Sequence, residues 1–265
     1  LSSFSLFNGF GTHLTINVLY YNFIINHSDN LSLPFAIVFH IAAFITIIYG
    51  SHKDDWKENI AVISYAGAAI AALHAGDLFT LFFWWEATAF TSVFLILGGN
   101  TTRAYRAAFR YIVIQVGSGM FLLAGAVLFL YSNGNALLGQ MSIDDTSGLL
   151  IFLAFGIKAA FPFLNGWLQD TYPEASEVGT VALSSFTTKL AIYALARSFA
   201  GTDILIYIGA LMTFFPIFFA VIENDLRRVL AYSLNNQLGF MVVAVGIGTE
   251  LAINGAVAHA FAHII

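Results

Sequence analysis

The sequence predicts an all-α fold, a polytopic bundle of transmembrane helices. Its 265 residues are 59% hydrophobic and 9% charged, whereas a soluble domain carries about 25% charged residues. Apolar stretches of about 17 to 25 residues, the length that a helix needs to cross the hydrocarbon core, recur along nearly the whole chain. A soluble enzyme or a nucleic-acid-binding protein is therefore excluded, and residues 1–265 are expected to form a single transmembrane domain.

A short extramembrane hairpin or loop is expected to come first. Residues 1–31 contain the weakly alternating run THLTINVLYYNFIINHSDN, which is typical of paired strands rather than of a membrane span. About nine transmembrane helices are expected from residue 33 onward. The apolar segments place them at 33–50, 59–75, 78–97, 107–131, 148–172, 178–198, 204–222, 230–247 and 251 onward.

Both ends of the chain predict that it is a fragment of a longer one. It begins at Leu1 without a methionine, and its last apolar segment runs from Leu251 only to Ile265. A spanning helix needs about 20 residues, so this segment is too short to cross by itself.

Basic residues predict which loops face the cytoplasm. Seven of the ten Lys and Arg residues fall in or beside three loops. When successive helices cross the membrane in alternating directions, these three loops lie on the same side. The seven residues are Lys53, Lys57, Arg103, Arg106, Arg110, Arg227 and Arg228. Because cytoplasmic loops are enriched in Lys and Arg, we expect a multi-pass inner-membrane protein with these loops in the cytoplasm.

Five ionisable residues lie deep inside apolar segments, where lipid or protein must surround them: Glu86, Lys158, Lys189, His259 and His263. At 1.5 Å per residue, each lies roughly 12 to 18 Å from the start of its helix, so independent helices place them near one depth. A charge at that depth costs about 2.5 kcal/mol or more unless it faces a partner or water. The shared depth therefore indicates a functional path.

The segment FLAFGIKAAFPFLNGWLQD combines one of these charges with a helix breaker. Pro162 removes the hydrogen bond to the carbonyl four residues earlier, which belongs to Lys158. Unwound backbone at membrane depth is tolerated where it is buried in protein or lines a hydrated cavity. We expect a broken helix that opens a wet pocket around the Lys158 amine, with Glu86 close enough to make a switchable proton site.

Structural alternatives stay open at these positions. A Glu86–Lys158 pair would also serve as a link between helices that never titrates, and the long side chain of Lys189 would also reach a membrane interface. His259 and His263 share one helical face. With no third ligand nearby, they favour a proton relay over a zinc site. No cofactor, metal or catalytic site is expected, and the chain has no cysteine.

Five motifs occur in order along the chain: WWEATAF, GIKAAFPFLNGWLQDTYPEAS, FTTKLAIYALAR, ENDLRRVLAYSLNNQLGFM and HAFAHII. Their order and separations resemble those of the proton-translocating antiporter-like subunits. Respiratory complex I, membrane-bound hydrogenases and Mrp-type monovalent cation/proton antiporters share this family. The resemblance extends from about residue 12 to the end, and the stretches TYPEAS, ENDLRRVLAY and VGIGTELAINGA are most similar to the D subunit of bacterial Mrp-type antiporters.

The resemblance implies a role for each buried ionisable residue. Glu86 matches the glutamate on the family's fifth transmembrane helix, and Lys158 matches the lysine of the broken seventh helix with which that glutamate pairs. Lys189 matches the bridging lysine on the next helix, while His259 and His263 match the histidines that lead toward the centre of the subunit. The family fold has about fourteen helices in two inverted repeats, so this chain would hold the first repeat and part of the second.

Two features depart from the family pattern. Asn165 occupies a position where many relatives carry histidine, which weakens a relay role there. The sequence also stops at Ile265, before a lysine that usually follows the second histidine.

The residues and the resemblance together predict a membrane subunit of a multi-subunit Na⁺/proton antiporter, with protons moving along the path from Glu86 to His263. Its expected partners are other membrane subunits, the lipid bilayer, protons and monovalent cations. Two alternatives stay open: a proton-pumping subunit of a complex I-like or hydrogenase assembly, and a non-conducting membrane scaffold. Since no redox or nucleotide-binding motif is present, we expect a transporter, and a translocase only within a redox complex.

Overall fold

Helices make up most of the molecule. The computed structural model describes residues 10–18, 21–53 and 55–265. Within them the helices are α1 (Ser32–Gly50), α2 (Trp56–Leu73), α3 (Leu78–Leu97), α4 (Thr102–Asn133), α5 (Thr146–Lys158), α6 (Gly166–Thr171), α7 (Glu177–Ser198), α8 (Ile204–Ile222), α9 (Leu226–Ile247) and α10 (Glu250–Ile264). A 3₁₀ turn at Tyr172–Glu174 joins α6 to α7.

The all-α, multi-pass membrane class is confirmed. Six helices in the described part of the chain are long and apolar enough to cross a membrane: α1, α3, α4, α7, α8 and α9. Helix α7 lies at the centre, because 83% of its apolar stretch is buried inside the protein. A crossing by α2, by the broken pair α5 and α6, or by α10 stays a prediction.

Two helices begin four or five residues earlier than the sequence predicts. The Thr101 hydroxyl accepts the amide of Ala104 at 2.9 Å, so α4 begins at Thr102 instead of residue 107. The Asp225 carboxylate accepts the amide of Arg227 at 2.9 Å, so α9 begins at Leu226 instead of residue 230. In both cases the basic residues assigned to a loop occupy the first turns of a capped helix.

A β-hairpin covers the turn between α2 and α3. Strand β1 (Gly11–Val18) pairs antiparallel with β2 (Tyr21–Ser28). The Ile24 amide donates to the Asp77 carboxylate at 2.7 Å, and the Gly76 amide donates to the Ile24 carbonyl at 3.0 Å. Asp77 also accepts the Phe79 amide at 2.9 Å and so caps the start of α3.

An ion pair ties the start of α1 to the end of α7. The Arg197 guanidinium donates to both carboxylate oxygens of Asp29, at 2.8 and 2.7 Å. Asp29 also accepts the Ser32 amide at 2.8 Å. Burial alone raises the pKa of Asp29, but Arg197 and the Ser32 amide outweigh burial and hold that pKa below its ordinary value of 3.8.

The opposite end of the bundle is joined around the start of α7. The Ser176 hydroxyl bonds to Glu58 on α2, and Lys53 lies 3.5 Å from Glu177. Arg227, on the first turn of α9, donates to the carbonyl of Ala175 at 3.2 Å. The loop that holds Lys53 and the first turn of α9, which holds Arg227, therefore meet at one end of the bundle, away from the hairpin.

We predict that Asp29→Asn destabilises the purified full-length protein by about 1.5 to 3 kcal/mol at pH 7, the range for a hydrogen bond to a charged group. Because the folded carboxyl binds its proton less tightly than the unfolded one, this contribution is present above about pH 4 and is lost as the pH falls through the lowered pKa. Thermal unfolding in detergent, followed by tryptophan fluorescence at several pH values, measures it.

Asp203→Asn is the matched control, since Asp203 is exposed and its side chain makes no capping bond to α8. A gap between wild type and Asp29→Asn that stays constant down to about pH 3 would contradict the role given to the ion pair.

Candidate functional site

The helix break falls at Lys158. Helix α5 ends at Lys158, and α6 begins at Gly166 after a turn that contains Pro162. Two residues of this turn have positive backbone φ, 60° at Ala160 and 68° at Phe163, a region that side chains other than glycine rarely adopt. The turn thus holds the end of α5 in place at the cost of local strain.

Aromatic side chains cover the end of α5. The ring of Phe161 folds back onto Gly156, where an added Cβ would lie 2.5 Å from the ring. The Trp167 indole donates to the Ile157 carbonyl at 3.0 Å and so satisfies a carbonyl at the end of α5. The Lys158 side chain is buried, with 1% exposed, because packed rings and protein hydrogen bonds enclose it. The wet pocket expected around it stays a prediction.

Residues of α3 provide the hydrogen-bond acceptors for the Lys158 amine. Its Nζ donates to the Trp85 carbonyl and to the Thr88 hydroxyl, both at 2.9 Å. The Trp85 ring lies over the amine at 4.1 Å from the ring centroid, and its indole donates to the Ser118 hydroxyl at 3.1 Å. Two acceptors and an aromatic face therefore replace water around the amine.

Glu86 lies beside this site on the same helix. It is half-buried, and its Oε1 atom has no hydrogen-bond partner among the described residues. Glu86 and Lys158 interact electrostatically, although no ion pair within 4.0 Å joins them in the described part of the chain. Gly119 on α4 makes room for the carboxylate, since an added Cβ would lie 1.7 Å from Oε1.

Lys189 is enclosed in the middle of α7. Its side chain is fully buried, and its Nζ donates to the Ser184 carbonyl at 2.6 Å. The alternative in which Lys189 reaches a membrane interface is wrong, because the amine turns back along its own helix inside the bundle.

The two histidines of α10 face Lys189 and α9. Their rings are nearly parallel, with centroids 6.5 Å apart. A nitrogen of His259, Nε2, lies 2.8 Å from the Gln237 side-chain oxygen. Both histidines interact electrostatically with Lys189. The predicted residues thus form two groups, Glu86 with Lys158 and Lys189 with the histidines.

Several residues of the site are not predicted from the sequence. They are Thr88, Gln115, Ser118, Gly119 and Gln237. Gln115 and Gln237 carry a usable signal, because each is an amide in the middle of an apolar helix. Gly119 carries none, since its importance depends on the facing Glu86.

Comparisons with known proteins identify relatives of this chain. A family model described as NADH:quinone oxidoreductase/Mrp antiporter, TM matches residues 75–265. The D subunit of the Na(+)/H(+) antiporter of Alkalihalophilus pseudofirmus is 31% identical over 215 residues, which are 73% of this chain and 43% of the relative. The M subunit of the NADH-quinone oxidoreductase of Escherichia coli K12 is 26% identical over 270 residues, 89% of this chain and 52% of the relative.

A solved structure shares the fold. The Mrp complex from Dietzia sp. contains a chain that superposes with a TM-score of 0.83 at 22% identity, over 90% of this chain and 49% of that one. This chain therefore spans about half the length of the relatives it matches. The matches confirm the resemblance drawn from the five motifs.

We predict that Gly119→Ala destabilises the protein by about 1 to 3 kcal/mol, the usual cost of overpacking, because the new methyl group overlaps Glu86. The midpoint of thermal unfolding in detergent measures this cost.

Gly117→Ala is the matched control, two residues away on the same helix, where an added Cβ meets nothing within 4 Å. Since Ala favours a helix over Gly by up to about 1 kcal/mol, the control should be neutral or slightly more stable. Equal effects of the two substitutions would rule out a close fit between Gly119 and Glu86.

Proposed function

The chain belongs to the NADH:quinone oxidoreductase/Mrp antiporter transmembrane family, and on that premise we propose that it is a proton-conducting subunit of a multi-subunit Na⁺/proton antiporter. The observation that carries the proposal is the burial of two lysine amines: Lys158, in the first group, is 1% exposed, and Lys189, in the second group, is 0% exposed. Buried ionisable residues in a membrane bundle are costly, and function is the usual reason that they are retained.

The proposed proton path has two proton-binding sites, a first station at Lys158 and Glu86 and a second station at Lys189, His259 and His263. At the first, the Lys158 amine alternates between its α3 acceptors and the nearby Glu86 carboxylate, whose Oε1 has no other partner among the described residues. At the second, Lys189 exchanges a proton with the stacked pair His259 and His263. Since one positive charge raises the cost of another nearby, a proton that arrives at Lys189 favours the release of a proton held by the histidines.

Sodium as the exchanged cation and other membrane subunits as partners are part of this proposal. The relative from Alkalihalophilus pseudofirmus, named as part of a Na(+)/H(+) antiporter, supports sodium, and the Mrp complex from Dietzia sp. supports a multi-subunit assembly. We place the chain in the cytoplasmic (inner) membrane. The end that holds Lys53, Arg103, Arg106, Arg227 and Arg228 faces the cytoplasm, since cytoplasmic loops carry the excess of basic residues.

A redox-driven proton pump is the second candidate. The relative from Escherichia coli, which is named as part of an NADH-quinone oxidoreductase, matches 89% of this chain and supports it. The proton path would be the same, but electron transfer in a partner would drive it. Iron–sulfur or quinone absorbance in the purified complex favours the pump, and its absence together with sodium-driven proton release favours the antiporter.

We predict that Lys158→Ala abolishes sodium-dependent proton movement in sealed vesicles that contain the assembled complex with the full-length chain. The reason is that Ala offers no group to take up a proton at the first station. A pH-sensitive dye reports the collapse of the pH gradient on addition of sodium, and a native gel checks assembly.

Lys57→Ala is the matched control, because this lysine lies at the exposed start of α2, away from both stations, and should leave transport unchanged. Normal transport by assembled Lys158→Ala would overturn the proposal. If the buried charges serve only as a scaffold, the double variant Lys158→Met with Glu86→Gln assembles and transports normally.

A further inference from the structure

A groove runs along the outer face of α4, from its first turns to the middle of the helix. Arg106, Arg110, Val113, Gly117 and Phe121 follow one another at steps of three or four residues and therefore lie on one face. Arg106 and Arg110 line a cavity of about 620 Å³, and Arg110 also lines a second cavity of about 500 Å³ that extends to Phe121. The two cavities meet at Arg110, and together they form what we call the α4 groove.

The inner part of the α4 groove is apolar. It lies between α4 and the turn that separates α5 from α6. The apolar residues of its walls include Val113, Ile114, Phe121, Ile157, Phe163 and Leu164. Phe163 is 94% exposed, and Gly117 leaves the floor open, since an added Cβ there would meet nothing within 4 Å. An exposed apolar groove on a membrane-spanning helix is suited to a hydrocarbon chain.

The outer end of the α4 groove is positively charged. A nitrogen of the Arg110 guanidinium lies 2.8 Å from a carboxylate oxygen of Asp170. Arg106 is exposed, and in the described part of the chain no carboxylate lies within 4.0 Å of its guanidinium. One carboxylate therefore offsets one of two guanidinium groups, and the remaining positive charge attracts an anion.

The two arginines lie at the depth of the lipid headgroups. Residues 111–130 of α4 carry no charge, and about 20 such residues span the hydrocarbon core. Arg110 directly precedes this run, and Arg106 lies one helical turn farther out. Tyr105 and Tyr131, both exposed, lie beyond the two ends of the run, as tyrosines do at the two membrane surfaces. The guanidinium groups thus lie at the level of the lipid phosphates.

The apolar part of the α4 groove is as long as one leaflet is deep. From Arg110 to Phe121 it extends roughly 16 Å along the helix, and half of the hydrocarbon core is about 15 Å. A transmembrane helix of a partner would need contacts along the whole span, whereas the groove ends halfway. The length and the charge therefore favour a lipid over a partner helix as the occupant.

We propose that the α4 groove binds an anionic phospholipid. Its phosphate accepts hydrogen bonds from Arg106 and Arg110, because planar guanidinium groups match phosphate oxygens and basic pockets between helices hold anionic headgroups. One acyl chain lies over Gly117 and against Phe163 and Leu164. The lipid thereby covers the outer side of the turn that follows α5. This site does not depend on the proposed function, since it needs only that α4 spans the membrane.

The test places the photo-crosslinker p-benzoylphenylalanine at position 163 of the full-length chain in the assembled complex. The complex is reconstituted in vesicles of phosphatidylcholine with a minor fraction of phosphatidylglycerol. After illumination, mass spectrometry of the crosslinked peptide measures the ratio of the two lipids in the adducts. We expect phosphatidylglycerol to be enriched over its share in the vesicles.

Matched controls separate binding from random contact with lipid. Phe218 is the second crosslinking position, because it is exposed on α8, a helix without basic residues, and should report the lipid ratio of the vesicles. Arg106→Gln should lower the enrichment at position 163 about fivefold, the effect of one basic residue near an anionic surface. Lys57→Gln, at the exposed start of α2, should leave the enrichment unchanged.

Enrichment that Arg106→Gln lowers and Lys57→Gln preserves supports the lipid site. Equal lipid ratios at positions 163 and 218 overturn it. A crosslink from position 163 to a peptide also overturns it, because protein then occupies the groove.

Gly117→Leu supplies a second variant if Arg106→Gln does not assemble. The new side chain fills the floor of the groove without meeting a neighbour at its Cβ, so the enrichment should fall to the level at position 218. Enrichment that Gly117→Leu leaves unchanged overturns the proposal.

Discussion

The structure depends on one constraint: an amine buried inside a helical bundle must find its polar contacts in the protein. Lys158 meets this constraint with the Trp85 carbonyl, the Thr88 hydroxyl and the Trp85 ring. These contacts fix the end of α5 against α3, and Ser118 then fixes the Trp85 indole against α4. Helices α3, α4 and α5 are thereby aligned around the Lys158 amine.

The main effect of the break is to position the Lys158 side chain against α3, where it stays buried. Phe161 covers Gly156, and Trp167 bonds to the Ile157 carbonyl, so the end of α5 is enclosed while Phe163, Leu164 and Gly166 in the turn are exposed. The enclosed lysine has a chemical advantage: in a medium with few competing dipoles, a change in the charge of Glu86 acts strongly on the nearby amine. The hairpin and the Asp29–Arg197 pair close the bundle at one end, and the contacts of Ser176 and Arg227 close it at the other.

The sequence predicts a structural feature well where the residues that cause the feature lie in the same segment as the feature itself. Pro162 lies four residues after Lys158, so the position of the break is predictable, and Glu86 stands out as a charge within an apolar helix. The predicted starts of α4 and α9 are too late because their basic residues resemble loop residues until the caps at Thr101 and Asp225 are recognised. A break and a charge that occur together predict a wet pocket, yet the packing of the Phe161, Trp167 and Trp85 rings around the end of α5 is seen only in the fold.

The sequence by itself determined the membrane class, the helix order, the family and the five ionisable residues within apolar segments, because hydrophobicity, proline and motif order act locally along the chain. Only the tertiary structure decided what solvates each charge. Thr88 meets Lys158 across 70 residues of sequence, and Gly119 fits Glu86 from a neighbouring helix. Such contacts arise from the rotation and register of packed helices, and the pattern of a single helix does not specify either of them.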